Sequence, residues 1–503
     1  MKVLLVSPEF PDTYWSFRHA LPFEGKRCAF PPLGLLTVSG LLPANWERRL
    51  VDLNVRELTD KDIAWADMVF ITGMLAQKKS LHEVVRRSKE LKKKVVLGGP
   101  YVTSTIEELP DADHLFLGEA ETTLPQFAID LEKGEAKRIY KAPERPPLSI
   151  TPRPDFDLID LNSYGAMSVQ YSRGCPFSCE FCDIIEIYGR VPRTKSNQQM
   201  IAEFDSLLAL GWRGPLFIVD DNFIGNKKHV RQLLPDIEAW QKKHNYPFSL
   251  LTEASVNLAD DEALLASMRE AGFRRVFLGI ETPVEASLHE AQKSQNRGNL
   301  LESVSRIQSY GIEVMGGFIV GFDNDPEDIF ERQINFIRDS AIPLAMVGLL
   351  NALPDTQLWK RLEREGRLLG EASGNNTVCT VNFVTKMDLK RLVSGYQSIM
   401  RTIYRPRDFY ERALDSLRRT ANSFPEPTNY SGMRAVASFT KIALTLGIID
   451  SERKEFWRFF LKAVAMHRSR IVDTLRFAAM GYHFRKLNDS FGTVLDTSVA
   501  QES

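Results

Sequence analysis

Residues 171–185 read YSRGCPFSCEFCDII and place Cys175, Cys179 and Cys182 within eight residues. Thiolates are soft ligands, so a cluster of this kind points to zinc or to iron–sulfur. A structural zinc site takes four ligands, commonly from two CxxC pairs. Here the second pair is missing. Cys28 and Cys379 are distant and isolated, and the next histidine along the chain is His229. Three thiolates leave one metal position open, as in a cubane cluster with one free iron. A zinc site completed from afar and three uninvolved thiols remain alternatives on spacing alone. Arg173, Gly174, Pro176 and Phe181 around the thiols suit a cluster shielded from water.

The cluster follows AMSVQYS (166–172), the first of six apolar runs with strand character. The others are PLFIVDD (215–221), FSLLTEA (248–254), RRVFLGIE (274–281), EVMGGFIVG (313–321) and AMVGLLN (345–351). Helical patterns such as LLESVSRIQSYG (300–311) separate them. Residues 166–370 are therefore expected to form an open (βα) barrel, with reactive groups at the strands' carboxyl ends. Residues 1–135 carry five earlier runs: VLLVSP (3–8), RRLVDL (48–53), MVFITG (68–73), KVVLGGP (94–100) and HLFLGE (114–119). Alternation with helical patterns predicts a doubly wound α/β sheet, which binds ligands beyond its carboxyl edge. Gly73, Gly98, Gly99 and Gly118 mark that edge and are candidate ligand contacts. Residues 136–165 hold five prolines between 143 and 154 and are predicted to be a linker. Residues 371–503 lose the strand signal; 387–404 and 451–480 read as helices.

The bulk numbers limit the function classes. A chain of 503 residues with net charge −1 has no overall attraction for nucleic acid. MKVLLVSPEF is too short an apolar start for a signal peptide, and no apolar stretch of about 18 residues predicts a membrane span. Five cysteines, three of them clustered, argue against a disulfide framework and for a reducing cytoplasm.

CPFSCEFC (175–182) resembles the CxxxCxxC motif of the radical S-adenosylmethionine (SAM) superfamily. The resemblance implies that Cys175, Cys179 and Cys182 hold a [4Fe–4S] cluster whose fourth iron is chelated by the SAM amino and carboxylate groups. It also assigns candidate SAM contacts. Asp220, Asp221 and Asn222 in VDDNF (219–223) would meet the ammonium, and Glu253 and Ser255 in LTEAS (251–255) would meet SAM. Glu281 in LGIET (278–282) is a further polar contact, and Gly317, Ile319 and Gly321 in GFIVG (317–321) would approach adenine. Arg193 and Lys195 would pair with the SAM carboxylate.

PPLGLLTVSGLLP (31–43), LVDLN (50–54), LGGP (97–100) and LGEAE (117–121) resemble the cobalamin-binding domain that precedes the barrel in one large subgroup. The DxHxxG cobalt-ligand motif is absent; the region taken to correspond, VDLNVREL (51–58), has no histidine. NFVTKM (382–387) and RTIYRPRDFYER (401–412) are similar to the helical C-terminal extension of a branch that includes hopanoid methylases. The implied fold is thus a cobalamin-binding-type domain, an open (βα)6-type radical SAM barrel and a mainly helical extension.

The implied reaction is methylation of an unactivated carbon of a lipid or other small molecule. A deoxyadenosyl radical would take a hydrogen atom from the substrate, and cobalamin would deliver methyl. An electron donor such as flavodoxin or ferredoxin is implied, and no nucleic acid. A methylthiotransferase acting on tRNA would carry three more cysteines and a nucleic-acid module. Non-methylating radical chemistry, such as oxidative cyclisation, and a non-catalytic cobalamin- or metal-sensing protein are the other readings. From Arg453 to Lys486, nine Arg or Lys accompany two acids, with Phe456, Trp457, Phe459, Phe460, Phe477 and Phe484 interleaved. This suits either peripheral contact with an anionic membrane through 451–486 or an amphipathic helix packed on the barrel.

Overall fold

The computed structural model describes residues 1–105, 109–375, 377–424 and 432–498. The N-terminal runs form parallel strands β1 (Lys2–Ser7), β2 (Glu47–Asp52), β3 (Met68–Thr72), β4 (Lys94–Gly98) and β5 (His114–Leu117). Alternate side chains pack opposite faces, as the pleat requires. Leu4, Val6, Val69 and Ile71 join one apolar cluster, and Val3, Leu5, Met68 and Phe70 join the other. Both faces are covered, so the strands read as continuous apolar runs.

A sixth strand corrects the expected linker. Ile139–Lys141 pairs in parallel with β5 as β6, giving the order β2-β1-β3-β4-β5-β6. Short 3₁₀ turns at Leu148–Ile150, Phe156–Leu158 and Leu161–Ser163 then carry the chain onward. β1 has β2 on one side and β3 on the other, so successive connections leave in opposite directions there. Such a switch point opens a crevice at the carboxyl edge.

The second sheet is parallel and open, in the order β14-β13-β12-β11-β10-β7. Its strands are β7 (Met167–Val169), β10 (Gly214–Ile218), β11 (Phe248–Ala254), β12 (Phe273–Glu281), β13 (Glu313–Val320) and β14 (Ala345–Leu349). Between β7 and β10, β8 (Ser172–Arg173) pairs antiparallel with β9 (Arg193–Thr194). That ladder closes the base of the loop that carries the cysteines.

C-terminal helices Leu389–Ile403, Pro406–Arg419, Arg453–Met466 and Ile471–Ser498 gather at the β14 side. Tyr404 Oη donates to Ala345 O at 2.7 Å, and Tyr14 Oη donates to Val347 O at 2.6 Å. The aromatic residues of 451–486 largely turn inward. Phe456, Phe459, Phe477 and Phe484 are buried, and Arg470, Arg476 and Arg485 pair with Asp473, Glu313 and Asp450. Those rings therefore belong to the core and are not available to a membrane. Among the described residues no helix is long and apolar enough to cross a membrane.

Candidate active site

The cysteine loop is held by backbone geometry. Gly174 has φ +97°, and a Cβ there would lie 2.7 Å from Gly189 O, so glycine is required. Cys175 N–H donates to the same carbonyl at 3.2 Å. Burial pushes the Cys175 and Cys182 thiols upward, while backbone N–H groups of Phe177 and Ile184 and the Lys293 ammonium act the other way. Gln295 Nε2 donates to Cys179 Sγ at 3.3 Å, and Asn222 Nδ2 reaches Cys175 Sγ at 3.9 Å. Lys293 and Gln295 were not legible in the sequence; they come from a loop more than a hundred residues downstream. Among the described residues no three His, Cys, Asp or Glu converge on a single ion. Three soft donors with N–H groups and a cation behind the sulfurs fit a cluster.

The strand ends bring the expected carboxylates to the barrel mouth but give them different tasks. Asp220 accepts from Tyr171 N (2.7 Å), Ser172 N (2.9 Å) and Ser172 Oγ (2.6 Å), so it fixes the start of the cysteine hairpin. Burial nevertheless raises it to about 6. Asp221 accepts from Gly174 N at 3.2 Å and is raised by burial to about 7. Asn222 and Ser255 bond each other at 3.2 Å. Glu253 lines the cavity, and its carboxylate accepts no hydrogen bond among the described residues. Burial, then the Asp221 and Asp220 carboxylates, raise it to about 8. Asp221 and Glu253 both face the cavity as acceptors, and Asp183 lines it as well.

The Glu253 shift sets a pH dependence. Its folded value lies above its ordinary 4.5, so folding favours the protonated form. That contribution is complete below the ordinary value and is lost as pH rises through about 8. Glu253→Gln is expected to flatten the fall in stability of the cofactor-free protein over this window, by on the order of 1–3 kcal/mol. Urea unfolding at pH 5.5 and 8.5 measures it.

Other expected contacts are engaged elsewhere. Arg193 donates to Glu119 Oε1 at 2.6 Å, to Pro146 O and to Tyr188 O. Lys195 is buried against Glu203. Neither cation is left for a carboxylate of SAM. Glu281 pairs with Lys293 at 2.5 Å. The space beside Gly317 is filled by Phe277, and Leu392 packs against Gly321. Ile319 packs in an apolar cluster with Phe181 and Phe322. None of the three borders the large cavity.

That cavity, of about 1230 Å³, lies between the carboxyl edge of the first sheet and the barrel mouth. Gly73, Gly98, Gly99 and Gly118 all line it. Gly99 has φ +98°, and a Cβ there would overlap Thr72 Oγ1, so backbone alone faces the cavity at this point. Asp52 accepts from Tyr164 Oη at 2.9 Å and Asn54 Nδ2 at 2.7 Å, so it ties the two halves together. None of the described lining residues is histidine. The loop after β1 supplies a wall that sequence reasoning missed. Trp15 stacks on Phe217 of β10 with centroids 6.0 Å apart, and Phe30 lies 5.3 Å from the same ring.

Arg173, directly before the cysteine motif, pairs with Glu119 (2.6 Å) and Glu121 (2.8 Å) beyond β5. The cysteine hairpin is thereby locked to the edge of the N-terminal sheet.

Comparison with known proteins matches these parts to three family models: a B12 binding domain over 29–128, the radical SAM superfamily over 169–337, and a domain of unknown function, DUF4070, over 356–493. The hopanoid C-2 methylase of Rhodopseudomonas palustris is 35% identical over 494 residues, covering 96% of this chain and 92% of that protein. The chain belongs to the cobalamin-dependent radical SAM methyltransferases. An uncharacterized methyltransferase of Synechocystis is 46% identical over 82% of this chain and 78% of its own length. Among the solved structures that share the fold are two of this kind. They are the cobalamin-dependent radical enzyme OxsB with aqua-cobalamin and SAM (TM-score 0.63, 16% identity, 99% of this chain and 81% of that one), and the methyltransferase TsrM from Kitasatospora setae (0.60, 17%, 74% and 79%). The methyltransferase uses a [4Fe–4S] cluster, SAM and cobalamin. Its cavity has a glycine-faced sheet edge on one side and the carboxylates on the other, where Arg173 and Asp183 on either side of the three cysteines reach it; the sulfurs themselves are not among the lining residues.

Proposed function

We propose that this methyltransferase acts on an unactivated carbon of an apolar polycyclic lipid of the hopanoid class. The observation that carries the reading is the aromatic wall of Trp15, Phe30 and Phe217, set in the cavity between the two cofactor-binding edges. The relatedness to a hopanoid C-2 methylase supports it. Together the bound groups supply one-electron cleavage of SAM, hydrogen-atom abstraction and methyl delivery from cobalt. The chain's residues do the rest. Cys175, Cys179 and Cys182 hold the cluster, and Asp220 fixes the hairpin that presents it. Asp221 and Glu253 offer acceptors to the ammonium or hydroxyl groups of SAM. Gly73, Gly98, Gly99 and Gly118 let the first sheet's edge approach cobalamin closely. The aromatic wall orients the flat apolar substrate and excludes water. The one-electron donor is of flavodoxin or ferredoxin type.

Anaerobic reaction with a hopene, deuteromethyl-labelled SAM and a chemical reductant tests the proposal. A product heavier by one labelled methyl group is expected. Formation of 5′-deoxyadenosine with no labelled lipid would remove the hopanoid class.

Such a substrate resides in a membrane, and the surface that reaches it is not the aromatic stretch. Leu444, Ile448 and Ile449 are exposed at the corner between two helices, Ile449 by 77%. Arg453, Lys454, Arg458 and Lys462 follow, against Glu452, Glu455 and Asp450, the last already paired with Arg485, so the corner suits an anionic leaflet. Ile448→Glu with Ile449→Glu should cut co-sedimentation with phosphatidylglycerol vesicles at least fivefold, a rough expectation for two lost apolar anchors. Unchanged sedimentation would exclude this corner.

A further inference from the structure

LGIET (278–282) was expected to contact SAM, yet its geometry serves another purpose. Glu281, at φ +64°, turns its carboxylate onto Lys293 Nζ at 2.5 Å, with the two side chains only 8% and 11% exposed. Gly279 makes room for the pair: a Cβ there would meet Glu281 Oε1 and would stand 2.8 Å from Lys293 Nζ. The loop 291–296 that carries Lys293 is clamped at both ends. Asn296 Nδ2 donates to Gly279 O and Ile280 O, each at 2.9 Å, and Glu180 N–H donates to Ala291 O at 3.0 Å. Between the clamps, Lys293 Nζ lies 5.6 Å over the ring of Phe181, which separates two of the cysteines. Gln295 Nε2 points at Cys179 Sγ. The ammonium is within electrostatic reach of Cys175, Cys179 and Cys182. It does not line the substrate cavity.

We propose that Lys293, held by Glu281, is the counter-charge of the cluster, and that Lys293 and Gln295 are positioning residues that set its reduction potential. This rests on the cluster assignment above. Reduction adds one negative charge to the cluster. A fixed ammonium behind the sulfurs stabilises the reduced form and raises the potential. An N–H donor to sulfur acts in the same direction. Glu281 tempers the effect by compensating part of the charge.

The signs make the proposal testable without turnover. Reconstituted variants are poised electrochemically without SAM, and the reduced cluster is counted by electron paramagnetic resonance. At the wild-type midpoint, Lys293→Met should lower the reduced-to-oxidised ratio about tenfold, equivalent to about 59 mV for a one-electron couple. Gln295→Leu should lower it about threefold, the smaller effect of one neutral donor. Glu281→Gln, which leaves the ammonium uncompensated, should raise it. A merely structural role would move Lys293→Met and Glu281→Gln the same way, or neither, and would overturn the proposal. Should Lys293→Met fail to retain iron, opposite shifts of Glu281→Gln and Gln295→Leu still decide. A wild-type protein that takes up no cluster would instead overturn the cluster assignment itself.

Discussion

Replacing Cys175, Cys179 and Cys182 together by serine is expected to yield a folded protein whose iron content and 5′-deoxyadenosine formation both fall to background. Serine is a hard, weak donor and cannot replace a thiolate in holding iron. The fold should survive, because the loop's anchors do not use sulfur. The β8–β9 ladder closes its base, and Gly189 O receives the Cys175 backbone N–H. Asp220 holds Tyr171 and Ser172 through backbone N–H groups. Circular dichroism checks the fold, and iron analysis with product chromatography checks the loss. A variant that retains iron and cleavage would remove these thiols from the chemistry.

Glu119→Gln is expected to cost about 3–5 kcal/mol, the usual penalty for leaving a buried charge without its partner. Glu119 is 4% exposed in its side chain and serves two cations at once, Arg173 Nη1 and Arg193 Nη2, each at 2.6 Å. The substitution leaves Arg173 to Glu121 and Arg193 to neutral carbonyls. Arg173 and Arg193 are partners across the β8–β9 ladder, so the hairpin carrying the cluster should loosen from the first sheet. The urea midpoint reports the stability change, and hydrogen exchange across 172–194 reports the loosening. A loss below about 1 kcal/mol would mean the pairs behave as solvated surface contacts.

Much of the architecture was legible because buried parallel strands announce themselves as apolar runs. Each run read in 1–135 and 166–370 became a strand of the expected sheet. β6 was not legible: IYK is a three-residue edge strand beside a proline-rich stretch, too short to show a period. The same limit hid β8 and β9, two residues each. At the site, the thiols could be read because their spacing is local. The acids that hold Arg193 and Lys195 could not be read beside them, because Glu119 lies in the loop beyond β5 and Glu203 on a neighbouring helix. Lys293 and Gln295 escaped notice because only the folding of β12 and the loop after it brings them to the sulfurs. The basic-aromatic C-terminus showed composition but not orientation, and packing turned most of the rings inward.

The central claim is that three cysteines leave one iron for SAM. Electron–nuclear double resonance on the reduced, iron-reconstituted protein, with SAM labelled by ¹⁵N at the amino group and ¹⁷O at the carboxylate, tests it most directly. The account predicts hyperfine coupling from both labels. A cluster spectrum indifferent to SAM, or one that changes when Cys28 or Cys379 is replaced by serine, would contradict it.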